Sequence, residues 1–288
     1  MMARLPMDHG TVQLRALTAA DLPAAQALTT ALRWPYRLED WAFALALGEG
    51  LAAELDGRLA GTALGWRYGL AAATLGMVVV AEAAQGRGLG RALTEGVLAI
   101  LGERSVMLCA TVAGLPLYRK LGFASLGLIR QHQGEVAATA PVPLPPGQRL
   151  RPAGREGAPL LAALDRRALG LPRDALMGAL LPVAEGMVLE QDGEAIGFTL
   201  LRRFGRGQVM GPVVAPDRAS AQALMADGLA RRAGQFVRID VPEDSGLSPW
   251  LSSLGLAEVD TGRMMVRGMP PRGDGRVGSF ALVSQSLG

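Results

Sequence analysis

Cysteine occurs once, at Cys109, so the chain can form no internal disulfide, and a reducing compartment, the cytoplasm, is the expectation. Histidine occurs twice, at His9 and His132. Two widely separated imidazoles and one thiol do not make a metal site, and no metal is expected. Lysine occurs once, at Lys120, so the basic charge is almost all arginine. No apolar run approaches the roughly 20 residues that a membrane-spanning helix needs. The opening Met-Met-Ala-Arg-Leu-Pro lacks the apolar centre of a secretory leader. A membrane partner is therefore not expected. Aromatic residues make up only 5% of the chain, so a local cluster of them carries information.

The net charge is +3 and the pI about 9.6. A basic balance can signal nucleic-acid binding. Here the arginines are scattered and no long basic run occurs, so no nucleic-acid partner is expected.

Half of the 288 residues are hydrophobic, enough for packed cores, and the length suits two domains of ordinary size. Pro141-Val-Pro-Leu-Pro-Pro-Gly147 forbids regular pairing and reads as a stiff connector. It separates 1–140 from 148–288. The two halves repeat one another. Leu14-Arg15 and Leu150-Arg151 each open a strand that leads through a polar turn into an Ala/Leu-rich helix. Asp56-Gly57 and Asp192-Gly193 each sit in a hairpin turn between apolar runs. Gly61 and Gly197 follow at the same distance. Val79-Val80-Ala81 and Val213-Val214-Ala215 each end a buried strand. Leu121-Gly122-Phe123 and Leu254-Gly255-Leu256 each close a short helix. This order predicts duplication of one α/β domain; the alternative is chance similarity between two alternating α/β domains. Each half reads as strand, one or two helices, a meander of about three strands, helix, strand, helix, strand.

The segment Met77 to Leu93 is a buried strand, a short loop and then Gln85-Gly86-Arg87-Gly88-Leu89-Gly90-Arg91 opening a helix that continues through Leu93, Val97, Leu98 and Leu101. A helix N-terminus offers unpaired N–H groups and the positive end of its dipole. Glycines let a diphosphate approach that backbone, and Arg87 and Arg91 add charge. The alternative is a tight strand-to-helix turn with no ligand, which does not account for three glycines beside two arginines. The spacing is not the G-x-G-x-x-G of a dinucleotide site, and no Gly-Lys-Ser/Thr follows.

The strand, the loop and the later Leu117-Tyr118-Arg119-Lys120-Leu121-Gly122-Phe123 resemble the GNAT superfamily of N-acetyltransferases. Gln85 to Gly90 meets that family's Q/R-x-x-G-x-G/A pattern at each defined position, and the likeness runs over about residues 11–130. The whole chain is similar to the tandem members, in which a second GNAT-like domain follows the first. The resemblance implies a mixed, mainly antiparallel central sheet flanked by helices in each domain. It implies acetyl-CoA as co-substrate and direct attack by a neutral amine on the thioester, within a ternary complex. Pantetheine would pair with Val78, Val79 and Val80, and the diphosphate would lie over Gly86, Arg87, Gly88, Leu89, Gly90 and Arg91, with Gln85 also among the cofactor-binding residues. Tyr118 stands where the family commonly keeps a tyrosine near the CoA sulfur; a packed helix residue is the alternative. Thr111 stands where relatives often carry an asparagine that contacts CoA. The acceptor pocket would come from Arg33 to Trp41, with Trp34, Tyr36 and Arg37 toward the amine and Trp41 partly structural. Glu82 reads as a solvated turn residue and no general base is identified. Cys109, inside a buried strand, reads as a small hydrophobe rather than a nucleophile.

The second half lacks this chemistry. After Val213-Val214-Ala215 comes Pro216-Asp-Arg-Ala-Ser-Ala-Gln-Ala-Leu224, without the glycines, and Trp250-Leu251 stand opposite Leu117-Tyr118. A degenerate GNAT-like domain that binds no CoA is expected. Asp240 reads as a strand-end cap. Two other readings stay open: a non-catalytic acyl-CoA sensor and an interaction scaffold. The amine acceptor and homo-oligomerisation are not fixed by the sequence.

Overall fold

The computed structural model describes residues 3–7 and 10–288; Met1, Met2, Asp8 and His9 lie outside them. The chain divides into two compact units, residues 1–108 with Leu287, and residues 109–286 with Gly288. In each, a mixed, mainly antiparallel sheet is flanked by helices.

The first unit runs β1 (Ala3–Met7), β2 (Gly10–Ala16), α1 (Leu22–Ala31), α2 (Leu38–Leu47), β3 (Glu49–Leu55), β4 (Arg58–Tyr68), β5 (Ala72–Val80), α3 (Leu89–Leu101) and β6 (Ser105–Ala110), whose last two residues belong to the second unit. The strand order is β1-β2-β3-β4-β5-β6, antiparallel except for β5 with β6. The β3–β4 hairpin turns on Asp56 and Gly57, with φ of 51° and 74°, the left-handed pair that a two-residue hairpin requires. Helix α3 buries Leu89, Leu93, Val97 and Leu101 along one stripe. Each fully buried leucine contributes about 1.5–3 kcal/mol. Glycines set how near α3 lies to the sheet: a Cβ on Gly65 would sit 2.8 Å from Val97, and one on Gly96 2.5 Å from Leu51.

The second unit contains α4 (Leu115–Lys120), β7 (Ala124–Glu135), β8 (Gln148–Pro152), α5 (Ala158–Leu169), α6 (Asp174–Leu180), β9 (Ala184–Gln191), β10 (Glu194–Phe204), β11 (Gly207–Ala215), α7 (Arg218–Ala230), β12 (Phe236–Pro242), α8 (Ser248–Ser253), β13 (Ala257–Arg267) and β14 (Gly278–Ala281). Its order is β13-β7-β12-β11-β10-β9-β8, and β14 pairs with β11. Residues 137–147 hold no helix or strand. Strand β7, from the first half of the sequence, lies between β12 and β13 of the second half. The compact units are therefore not cut at the proline-rich segment.

The internal repeat is visible in detail. Arg15 pairs with Glu54 at 2.8 Å, and Arg151 with Glu190 at 2.5 Å, at matching positions of the two halves. Asp192 and Gly193 repeat the left-handed hairpin pair at 52° and 87°. Gly122 and Gly255 both adopt φ of 84° after α4 and α8. Asp240 differs from expectation. It lies inside β12, not at its end, and is fully buried, because its carboxylate is held by Arg238 at 2.8 Å.

Candidate functional site

The glycine loop belongs to the first unit. Gly86 and Gly88 have φ of 76° and 78°, values that cost an L-residue strain, and a Cβ on either would meet nothing within 4 Å. The loop backbone is thus bare on that side. Gly88 is the N-cap of α3 and supplies no side chain to cap it. The first helical bond is Ala92 N–H to Gly88 O, which leaves the first-turn amides aimed outward. Arg87 is exposed at the loop, and Arg91 reaches Glu95 one turn on, at 2.9 Å. Gln85 Nε2 donates to Val80 O at 3.2 Å, tying the loop back to β5.

Strand β5 carries a bulge. Its register against β4 slips between Thr62↔Val79 and Leu64↔Gly76, so that Met77 and Val78 oppose Ala63 alone. Met77 takes φ of 50°, and Thr62 Oγ1 donates to Met77 O at 2.9 Å inside the core. A bulge bends its strand and re-aims the residues beyond it. The registered pairing of β5 with β6 spans only Ala72–Thr74 with Ser105–Met107. Beyond Thr74 the strands part, and among the described residues Val79 and Val80 then pair only toward β4, with Val78 in the bulge. These valines are legible in the sequence as candidates, whereas Met77 is not; Gly76 inside a strand pattern was the available signal.

The aromatic cluster is also in the first unit. Trp41 is fully buried and its Nε1 donates to Thr29 Oγ1 at 3.2 Å, so it is core throughout, not partly structural. Trp34, Tyr36 and Arg37 are half-buried. The Tyr36 ring packs 6.3 Å from that of Trp41. Arg37 forms an ion pair with Asp40 at 2.8 Å and thereby braces the start of α2.

Tyr118, Thr111 and Cys109 lie in the second unit. Tyr118 is buried, its ring edge-on to Phe123 at 5.9 Å. Burial, with Cys109 nearby, pushes its hydroxyl up to about 12, so it carries its proton throughout the neutral range. Thr111 is exposed, and its Oγ1 accepts from Gly114 N–H at 3.3 Å, shaping the entry to α4. Burial, assisted by Asp240, also pushes the Cys109 thiol up to about 12, which leaves no thiolate for attack at neutral pH. Glu82 is exposed on a single turn of 3-10 helix.

Elsewhere in the second unit, a cavity of about 570 Å³ is lined by Ala153, Leu181, Met187, Glu185 and Arg231 among others, and holds none of the residues singled out above. Glu185 there is paired with Arg232, and Arg231 with Asp227. Among the described residues, no group of three or more His, Cys, Asp or Glu is placed to hold a metal. No helix among them is long and apolar enough to cross a membrane.

Residues 14–123 match the acetyltransferase (GNAT) family, and residues 161–277 match an acetyltransferase (GNAT) domain. Over 220 residues the chain is 29% identical to the Bacillus subtilis protein YitH, described as an uncharacterized N-acetyltransferase, covering 75% of this chain and 76% of that one. Among solved structures, a candidate acetyltransferase from Pyrococcus horikoshii superposes with a TM-score of 0.79 at 20% identity, over 99% of this chain and 98% of that one. A tandem GNAT protein from the clavulanic acid biosynthesis pathway superposes with a TM-score of 0.63 at 15% identity, over 88% and 98%. These structural likenesses concern the fold.

Proposed function

The chain is a tandem member of the GNAT superfamily of N-acetyltransferases, and from that premise we propose that it transfers acetyl from acetyl-CoA to a primary amine of a small molecule or peptide, in the cytoplasm. The observation that carries this reading is the open edge of β5 at Val78–Val80 leading directly into a bare glycine loop and the uncapped start of α3. Pantetheine lies along that edge as an added strand. The diphosphate meets the amides of Gly86 to Arg91, with Gln85 holding the loop in place. Thr111 shapes the turn before α4 on the CoA side. Trp34, Tyr36 and Arg37 line the acceptor side. Edge N–H groups of β5 polarise the thioester carbonyl as the amine attacks. The C–N bond forms, the C–S bond breaks, Tyr118 O–H gives its proton to the departing thiolate, and the proton shed by the attacking nitrogen passes through water to restore the phenol. A hydroxyl held near 12 is a weaker acid than a free phenol, but it is always in the donating form. The sequence domains under this reading are 1–140 and 148–288 about the linker 141–147, and the second is degenerate. An acyl-CoA sensor or scaffold would share the loop but release no thiol.

The test is calorimetry with acetyl-CoA, followed by release of free thiol across a panel of amines. One acetyl-CoA per chain and amine-dependent thiol release are expected; two equivalent sites, or binding with no turnover on any amine, would count against the reading. Tyr118→Phe is expected to lower kcat by roughly 10²-fold or more with little change in acetyl-CoA affinity, the scale of a lost proton donor. Unchanged kcat would make Tyr118 a packing residue and leave the thiolate to solvent.

A further inference from the structure

The second domain repeats the bulge and the parting of strands found in the first. The register of β10 against β11 slips between Thr199↔Val213 and Leu201↔Met210, as that of β4 against β5 does. Strands β11 and β12 pair only through Gln208↔Val237 and Val209↔Arg238, then separate. In the first domain the edge beyond the parting is open. In the second it is filled. Val213 pairs with Ala281, Val214 with Ser279 and Ala215 with Gly278, in antiparallel register. Leu282 N–H then donates to Asp240 O of β12 at 2.9 Å, so the same segment bridges to the strand on the other side. Val213 and Val214 are the counterparts of Val79 and Val80, two of the residues assigned above to pantetheine.

We propose that the parted strands of the second domain form a strand-binding cleft whose resident ligand is the chain's own segment 278–282, in the place that pantetheine takes in the first domain. The fit is that of a ligand in a closed site. Ala281 and Val283 are fully buried and Leu282 nearly so. Backbone approaches backbone so closely that a Cβ on Gly211 would lie 1.9 Å from Leu282 O. The segment supplies the edge hydrogen bonds that β11 and β12 no longer supply to each other, and so removes the cost of unpaired buried amides. Past it, Gln285 Nε2 donates to Asp240 Oδ1 and Gln131 Oε1, both at 3.3 Å, which anchors the exit of the segment. The second cleft is thus closed to CoA twice over: it lacks the glycine loop, and its strand edge is already occupied. The comparison rests on the cofactor reading of the first cleft, but the occupancy of the second does not.

Amide exchange on the full chain tests this. In the wild type, residues 279–282 are expected to be as protected as 213–215, and acetyl-CoA is expected to leave both unchanged while it protects 78–80. Gly211→Val, which drives side-chain atoms into Leu282 O, is expected to raise exchange at 279–282 by on the order of 100-fold, by favouring local opening. Exchange of wild-type 279–282 at coil rates, or their release by acetyl-CoA, overturns the proposal even if the variant does not fold. Failure of acetyl-CoA to protect 78–80 would sink the cofactor reading and leave the second cleft as described.

Discussion

A chain cut after Ala140 will be insoluble, or soluble with turnover lower than the full chain's by roughly 10²-fold or more. The reason is β7. From Ile129 to Glu135 it pairs with β12, and from Ala124 to Gln133 with β13. Both partners lie beyond the cut. The fragment would carry a twelve-residue strand with both edges bare, and unpaired edges recruit other chains. Its buried His132 would lose both partners, Leu256 O at 2.9 Å and Ser248 Oγ at 3.0 Å. Tyr118 lies shortly before β7 in the chain and would lose the order of its surroundings. Solubility on expression and thiol release per chain are the measurements. A soluble fragment of residues 1–140 with the turnover of the full chain would refute this expectation.

Gly88→Asp is expected to weaken acetyl-CoA binding by at least about 30-fold, with a melting temperature close to wild type. Nothing lies within 4 Å of a Cβ at this position, so the fold has room for the side chain. The strain of φ at 78° is modest for aspartate, among the residues most tolerant of that region. On the proposed reading, the new carboxylate would stand where the diphosphate approaches. One negative charge about 5 Å from two others costs about 2–7 kcal/mol for an effective dielectric between 80 and 20, and each 1.36 kcal/mol is a factor of ten. Gly57→Asp is the control. Its φ is 74° and its surroundings are equally open, but it sits in the β3–β4 hairpin. Calorimetry on the two variants should separate them; equal affinities would remove the loop from the cofactor site.

The parts of the fold that local chemistry specifies were legible in the sequence. Asp56-Gly57 and Asp192-Gly193 gave their hairpins because few other dipeptides accept two positive φ values. Gln85 to Gly90 gave the loop because glycine alone leaves a backbone bare. Leu89, Leu93, Val97 and Leu101 gave the buried stripe of α3 by spacing. What stayed hidden depends on strands far apart in the chain. Each half was expected to end on a strand, but nothing in the residues of β7 names β12 and β13 as partners. Asp240 read as a cap because a lone carboxylate after an apolar run usually ends a strand; its partner Arg238, two residues earlier on the same face, allowed it inside. Met77 concealed the bulge, since a methionine in a valine-rich run carries no mark of positive φ. Nothing in residues 278–282 signals that they would enter a parted cleft.

The position of β7 also sets the order in which the protein is completed as it is made. About 100 residues separate Glu135 from Phe236, its first partner in β12. At roughly 5–20 residues per second, a ribosome needs about 5–20 s to supply them. Hairpins form in microseconds, so β3–β4 and β9–β10 are finished long before that. Strand β7 must wait with both flanks open, and its pairings, long in sequence separation, are the slow ones to close. Slower synthesis lengthens the time β7 spends unpaired, and slowing elongation across residues 141–235 is expected to lower the soluble yield while leaving the folded protein unchanged.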